Sequence, residues 1–212
     1  MSDAGQKSGA SIEIAGELPV LPLRNGVMFP GSILPIEAHR PRTLAAVDRA
    51  GLMGTIAIIT QRDRADDTRD PPLFDVGCAA RILKTMKLAA EKAVVIVQGL
   101  QRIRILDVDR TGAWLAARVE AIAEPDGAGD ETLLRATETL KEEARRWIAK
   151  TPELPREANL LVEQIADAGM LADVLVSHLD LSVDDRQRVL ETVPLAPRIE
   201  LALAHVRRAA DS

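Results

Sequence analysis

A dense run of structure-breaking residues at positions 124–130 divides the sequence into two parts of different character. The run reads Glu-Pro-Asp-Gly-Ala-Gly-Asp, and proline, glycine and aspartate at this density interrupt helices and strands. Short β-branched runs precede it, whereas strong helix formers follow it. We therefore predict an α+β protein with a β-rich lobe over residues 18–123, a linker over 124–130 and a helical lobe over 131–212.

The β-rich part contains β-branched clusters, strict alternation and one helical segment. Residues 55–60 are nearly all β-branched or apolar and predict a buried strand. Residues 76–84 and 93–98 predict a hairpin. Alternation in 102–105 places two arginines on one face, which we predict to be solvated. One helix is predicted over 43–52, where apolar residues recur at helical spacing.

The first apolar segment of the chain, residues 18–24, contains two prolines. Pro19 and Pro22 lack a backbone donor, so this segment is predicted to be an edge strand rather than a central one. Residues 1–17 before it are polar and rich in glycine and serine, and we predict a disordered leader there.

The helical part is predicted to contain five helices. Apolar residues recur at helical spacing after residue 131, and the predicted helix there ends at Thr151-Pro152. Further helices are predicted over 155–168, 170–179 and 183–193, and a last one begins near residue 198. Ser182 followed by Asp185 resembles a capping box at the start of the fourth helix.

Composition excludes several classes of protein. Aromatic residues make up 2% of the chain and tyrosine is absent, so stacking platforms for single-stranded nucleic acid are nearly excluded. A single cysteine, Cys78, excludes an internal disulfide and a cysteine zinc cluster, and its apolar neighbours predict a buried thiol. The start of the chain lacks an apolar signal core. We therefore expect a cytoplasmic protein.

Motifs for catalysis are missing from the sequence. It contains no phosphate-binding loop, dinucleotide fingerprint, nucleophile elbow or zinc-protease motif. The three histidines, His39, His178 and His205, fall in three different segments, so a shared metal site is not expected. We predict a chain that is not itself an enzyme and that needs no cofactor or metal.

Apolar side chains next to predicted turns are the candidates for binding a partner. Such side chains either pack beneath the turns or remain exposed, and the sequence favours neither alternative. Exposed flexible apolar groups suit weak contacts with many different partners. The candidates for such contacts are Met28, Phe29, Leu73, Phe74, Met86 and Leu88.

An ordered series of short motifs resembles the N-terminal domain of the Lon protease family. The series is Leu-Pro-Val-Leu-Pro-Leu-Arg at 18–24, Met-Phe-Pro-Gly at 28–31, Asp-Val-Gly at 75–77 and Val-Gln-Gly-Leu-Gln-Arg at 97–102. The resemblance implies a PUA-like β lobe joined to a helical lobe. In that family the two lobes precede an ATPase module and a Ser-Lys protease module, neither of which this sequence contains.

The resemblance also implies a function in ATP-dependent proteolysis and protein quality control. It implies a region that helps to recognise unfolded or degron-bearing proteins and that supports assembly of the full-length hexamer. One alternative is a free-standing PUA-like RNA-binding adaptor that uses the arginines near residue 102, although the near-neutral charge of the β lobe argues against nucleic acid. Another alternative is a pure scaffold for hexamer contacts. Membrane partners are not expected.

Overall fold

A computed structural model describes residues 14–66, 68–89, 91–125, 127, 129–155 and 157–211. These residues form a β-rich lobe with one helix, followed by a lobe of helices, which confirms the predicted α+β class. The first lobe contains β1 (Ala15–Leu23), β2 (Ile33–Ala38), α1 (Pro41–Ala50), β3 (Thr55–Thr60), β4 (Val76–Ala89), β5 (Lys92–Asp109) and β6 (Ala116–Ala121). The second contains α2 (Glu131–Lys150), α3 (Ala158–Gln164), α4 (Ala168–His178), α5 (Val183–Glu191) and α6 (Leu195–Asp211).

The six strands form one sheet that closes on itself. Its order is β2-β5-β4-β3-β1-β6, and β5 also pairs with β6. The long strand β5 makes this closure possible because its residues 93–98 pair with β2 and its residues 103–109 pair with β6. Strand β2 therefore lies beside the closed part of the sheet and has β5 as its neighbour on one side.

Strand β1 lies inside the sheet, so the prediction of an edge strand is wrong. Its residues 15–19 pair with β6 and its residues 20–23 pair with β3. The amide of Val20 donates to Leu115 on the β6 side. Backbone groups of alternate residues point to alternate sides of a strand, so the nitrogen of Pro22 also faces the β6 side, beyond the last residue that pairs with β6. The nitrogen of Pro19 faces the β3 side, before the first residue that pairs with β3. Neither proline therefore removes a sheet hydrogen bond.

Two further boundaries differ from the sequence-based predictions. Strand β1 begins at Ala15, inside the predicted leader, while residues 1–13 lie outside the described residues. The hairpin is confirmed, but its second strand does not end at residue 98 as predicted, and β5 continues through Gly99 to Asp109. A Cβ at Gly99 would lie 2.1 Å from the Phe29 carbonyl oxygen, so glycine allows the two segments to cross in close contact.

The helices follow the predicted order with shifted ends. Ser182 Oγ accepts a 3.0 Å hydrogen bond from the Asp185 amide, which confirms the cap at the start of α5. The predicted helix over 155–168 is shorter, because Asp167 caps the start of α4 through the Met170 amide. Gly169 consequently lies within α4, and α6 begins three residues before the predicted position.

The segment 27–29 joins the cores of the two lobes. Met28 packs in a core cluster formed by strands of the closed sheet, or barrel, and by α1. Val27 and Phe29 pack in the core cluster formed by the helices of the second lobe. Consecutive residues of an extended segment point in opposite directions, so one short stretch supplies side chains to both cores. The two lobes are therefore packed directly against each other.

Candidate functional site

An apolar surface crosses the outer face of three neighbouring strands, β2, β5 and β4. In antiparallel strands, directly opposed residues point to the same face. Ile96 opposes Pro35 on β2, and Val94 opposes Met86 on β4. We call this surface the outer strip. Its members are Pro35, Met86, Val94 and Ile96, together with two exposed side chains that lie two positions from Pro35 and Met86 on the same strands, Ile33 and Leu88.

Burial along β5 shows which face of the sheet is turned to solvent. Val95 and Val97 are fully buried, whereas Val94 and Ile96 between them are half-buried. At the two ends of the strip the side chains are more open, with Ile33 57% and Leu88 60% exposed. The strip thus presents apolar side chains to solvent on a hydrogen-bonded sheet.

Charged residues border the outer strip on the same face. Lys92 Nζ lies 2.9 Å from Glu37 Oε2, where both side chains are about half exposed. Lys84 opposes Ile96 and is exposed. The hydrogen bond from Lys92 holds the pKa of the Glu37 carboxyl below its ordinary value, which favours the ionised carboxylate at this border.

The structure places two of the predicted binding residues in the outer strip and buries two others. Met86 and Leu88 belong to the strip. Met28 and Phe29 are 1% and 0% exposed, so the expectation that this turn presents them to a partner is wrong. The helical lobe covers Phe29, and the strands together with α1 cover Met28, which leaves neither side chain accessible without local unfolding.

The remaining two candidates lie near the opposite end of β4. Leu73 is 8% exposed and packs in the third core cluster of the barrel. Phe74 is half-buried, and the Arg62 guanidinium lies 4.7 Å from its ring centroid. At roughly 3.3 Å per residue, the start of β4 at Val76 is about 30 Å from Met86. The six predicted residues therefore do not form one surface.

Four members of the outer strip were absent from the sequence-based candidates. Ile33, Pro35, Val94 and Ile96 lie within strands, whereas the candidates were chosen next to turns. A signal was present, because the apolar run over 93–97 offers side chains to both faces of a sheet. The sequence does not show which of those faces another element covers.

A buried ionic cluster joins the second part of β5 to the helices. Arg102 is fully buried and donates two hydrogen bonds to Asp173 on α4, at 2.7 and 2.6 Å. It also donates to Glu124 and to the Leu190 carbonyl. Arg198 on α6 approaches both carboxylates. The prediction of a solvated arginine face is therefore wrong for Arg102.

Burial controls the electrostatics of this cluster. It raises the pKa of the Asp173 carboxyl, and the hydrogen bonds from Arg102 oppose that rise. The carboxylate consequently depends on its arginine partners to stay ionised inside the protein. The cluster contributes to the contact between the lobes. It also removes Arg102 from the exposed arginines that an RNA-binding face would need.

A pocket of about 520 Å³ lies between β1 and the start of α1. Its walls are apolar at Val20, Pro22 and Leu115. Arg42, which also lines it, pairs with Asp70 and donates to the carbonyls of residues 110, 112 and 114. This arginine therefore ties two loops together, and its hydrogen-bonding capacity is largely occupied.

Other groups that could support chemistry are few in the described part of the chain. Cys78 is fully buried, and burial raises the pKa of its thiol to about 12, so it is no nucleophile at neutral pH. Within the described ranges, no group of three or more His, Cys, Asp or Glu side chains could hold a metal ion. A search of the same residues finds no helix with the length and apolar character needed to cross a bilayer.

Comparison with known proteins identifies the family. A model of the family described as the ATP-dependent protease La (LON) substrate-binding domain matches residues 17–208. The chain belongs to this family. The Lon protease of Anaeromyxobacter dehalogenans is 38% identical over 200 residues, and Lon protease 2 of Myxococcus xanthus is 37% identical over 200 residues. Each match covers 92% of this chain and 24% of the relative, so this Lon domain spans about a quarter of their length.

Solved structures show the same fold. The N-terminal domain of a Lon protease from the Mycobacterium avium complex superimposes with a TM-score of 0.70 at 23% identity, covering 90% of this chain and 97% of the other. A Lon N-terminal domain protein from Xanthomonas campestris gives a TM-score of 0.62 at 20% identity, with 89% and 97% covered. The two-lobed arrangement is thus shared with other Lon N-terminal domains.

Proposed function

We propose that this Lon domain is a non-catalytic substrate-recognition region of a Lon-type ATP-dependent protease. In this proposal it binds unfolded or degron-bearing proteins, called clients below, through weak apolar contacts. The observation that carries the proposal is the outer strip, a solvent-facing apolar surface on a hydrogen-bonded sheet. Membership of a family named for substrate binding supports it.

The shape and chemistry of the outer strip suit clients of varied sequence. It is an open surface across three strands and includes flexible side chains such as Met86, so it imposes few steric demands on a bound segment. Burial of apolar area is favourable by roughly 25 cal/mol per Å² before ordering costs are subtracted. A small strip of this kind gives micromolar or weaker binding to one site.

Weak binding at one site becomes effective when several sites act together. In the full-length hexamer that we propose as the working form, several outer strips would contact one unfolded chain. The effective concentration for each later contact is set by the length of client between them. The ATPase and protease modules of the same assembly would then unfold and cleave the client, while this domain contributes binding alone.

The experiment compares two exposed leucines, one inside the outer strip and one outside it. Leu88 is 60% exposed in the strip, and Leu134 is 57% exposed on α2. A permanently unfolded, fluorescently labelled model protein is titrated with wild type, Leu88→Ser, the double variant Met86→Ser/Leu88→Ser, and Leu134→Ser. We expect about tenfold weaker binding for Leu88→Ser combined with Met86→Ser, since this removes two apolar contacts of the strip, and little change for Leu134→Ser.

Two outcomes would contradict the proposal. Wild-type protein that fails to bind the unfolded probe at any accessible concentration, either alone or displayed on a multivalent carrier, would show that the domain is no client-binding module. Equal losses for the strip and α2 variants would show that binding depends on general surface hydrophobicity and not on the outer strip.

A further inference from the structure

Strand β2 has a backbone edge that no described residue pairs with. Its partner is β5, and the described part of the chain contains no other ladder with β2. An open edge exposes backbone donors and acceptors that can pair with an added strand. In this protein the open edge borders the outer strip, because Ile33 and Pro35 belong to both.

The hydrogen bonds show which β2 residues face the open edge. The Ser32 carbonyl accepts a 2.9 Å bond from the Gly99 amide of β5. Because alternate residues of a strand point their backbone groups to alternate sides, the even-numbered residues of β2 face β5. Residues 33, 35 and 37 then direct their backbone groups to the open edge, and the side chains of the same residues are exposed.

Proline at position 35 fits this assignment. It has no amide to donate, and proline is accepted in sheets at positions where the N–H would face an open edge. The open edge therefore offers carbonyls at 33, 35 and 37 but amides at 33 and 37 alone. A proline in the middle of the edge also limits pairing with other sheets of matching length.

We propose that an extended segment of a client protein adds as a strand to the open edge of β2 and lays alternate apolar side chains beside the outer strip. This inference rests on the proposed function and specifies its binding mode. An extended polypeptide matches both features at once, because its backbone supplies the complementary donors and acceptors and its alternate side chains share one face. Sequence tolerance follows because the backbone bonds are common to all clients.

Charges and neighbouring side chains narrow the segment that the edge accepts. The strip face carries two lysines, Lys84 and Lys92, and Glu37 pairs with Lys92, so neutral or acidic segments are favoured over basic ones. Beyond the start of β2, the Met170 methyl lies 3.4 Å from where a Cβ at Gly31 would be. Met170 is 44% exposed, so it offers a further apolar contact at that end of the added strand.

The decisive experiment removes backbone donors from the client and leaves its side chains unchanged. The probe is a short synthetic peptide with valine and serine at alternate positions and an acidic residue at one end. One version is N-methylated at the valines and another at the serines. Since one set of amides faces β2 and the other faces solvent, we expect one version to bind about tenfold more weakly and the other to bind nearly as the parent peptide does.

A variant of the protein tests the same bonds from the other side. Ile33→Pro removes an amide that faces the open edge, whereas Ile33→Val retains the amide and most of the side chain. We expect about tenfold weaker peptide binding for Ile33→Pro and less than a twofold change for Ile33→Val. Thermal unfolding of both variants verifies the fold, and the N-methylated peptides test the proposal even if Ile33→Pro does not fold.

The outcomes separate this inference from the proposed function. Equal binding of both N-methylated peptides would overturn strand addition, while loss of binding in the strip variants would still support apolar client contacts. Failure of the parent peptide and of the unfolded probe to bind would overturn both. A native mass that falls from dimer to monomer with Ile33→Pro would assign the edge to a second copy of this chain and overturn the proposal.

Discussion

The two parts of strand β5 are separated by a bulge at Leu100 and face different surroundings. Residues 93–98 turn Val94 and Ile96 toward solvent, where they form the centre of the outer strip. A few positions later, Arg102 is fully buried against the helices. Apolar side chains are thus half-buried on a solvent-facing surface in the first part, and a charged side chain is fully buried in the second.

This contrast reverses what side-chain polarity alone predicts, and the helical lobe explains it. Helices α4 and α5 supply the carboxylate and carbonyl partners of Arg102, and α6 adds a second arginine, Arg198, to the same cluster. No described element covers the outer face of the first part. The strand therefore separates a surface that we assign to binding from a surface that contributes to stability, and substitutions should affect the two properties separately.

The largest expected effect is on the buried part. Arg102→Ala removes both hydrogen bonds to Asp173 and leaves a buried carboxylate with Arg198 at 3.8 Å. Breaking a buried ion pair on one side costs about 3–5 kcal/mol, which we expect in the free energy of unfolding measured with urea. Arg104→Ala is the control, since Arg104 and its partner Glu120 are each 55% exposed. A loss below about 1 kcal/mol for Arg102→Ala would show that the cluster does not hold the lobes together.

Gly99 lies between the two parts of β5, where the strand crosses the segment 27–29. Substitution of this glycine tests how closely the two segments are packed. Gly99→Ala would place a Cβ 2.1 Å from the Phe29 carbonyl oxygen, so the strand or the 27–29 segment must shift. We expect a loss of about 2 kcal/mol or more in the free energy of unfolding. Gly112→Ala is the matched control, because the nearest atom there is 3.5 Å away. Unchanged stability for Gly99→Ala would mean that the crossing has room to relax.

A more accessible group of ion pairs allows its contribution to stability to be compared with that of the buried cluster. Glu143 on α2 accepts hydrogen bonds from Arg146 and from Arg207 on α6. Burial raises the pKa of Glu143, but these bonds outweigh it and hold the pKa below the ordinary 4.5. We expect Glu143→Gln to cost about 0.5 kcal/mol at neutral pH, since both arginines are about half exposed and water screens them.

The pH dependence of that variant has a definite sign. A carboxyl with a lowered folded-state pKa stabilises the protein above its unfolded pKa of about 4.5. That stabilisation is lost as the pH falls through the folded-state pKa. Urea unfolding between pH 7 and acidic pH should therefore show the wild type and Glu143→Gln converging at low pH. A stability difference that grows on acidification would contradict the assigned direction.

The smallest expected effect is on the exposed part. Leu88→Ser should change the free energy of unfolding by less than about 0.5 kcal/mol, because a 60% exposed side chain contributes little to the core. Met28→Ser, at a 1% exposed position in the barrel core, should cost several kcal/mol in the same assay. Similar losses for the two variants would show that Leu88 is packed and not available to clients.

Local chemistry explains why part of the fold was predictable. Ser182 caps a helix through bonds to residues within one turn, and the thiol of Cys78 lies in a run of small apolar residues typical of a buried strand. Such features depend on neighbours in the chain. Met28 and Phe29 were harder to interpret, because their positions next to a turn suit either an exposed or a buried side chain.

Long-range contacts explain the errors. Arg102 and Asp173 are 71 positions apart, and alternation around Arg102 is the same whether its face meets water or another lobe. The prolines of β1 indicated an edge strand, yet each proline nitrogen faces a side on which the neighbouring strand has ended or not begun. Both outcomes depend on where distant segments start and stop.

The sequence by itself determined the division into a β lobe and a helical lobe, the α+β class and the family, because these depend on local propensity and on motifs in a fixed order. Only the tertiary structure decided which faces of the sheet are covered. It placed Met28 and Phe29 in two cores, buried Arg102 between the lobes and left the outer strip exposed. Burial is a property of packed pairs of elements, and a residue's own neighbours in the chain do not specify which distant element will cover it.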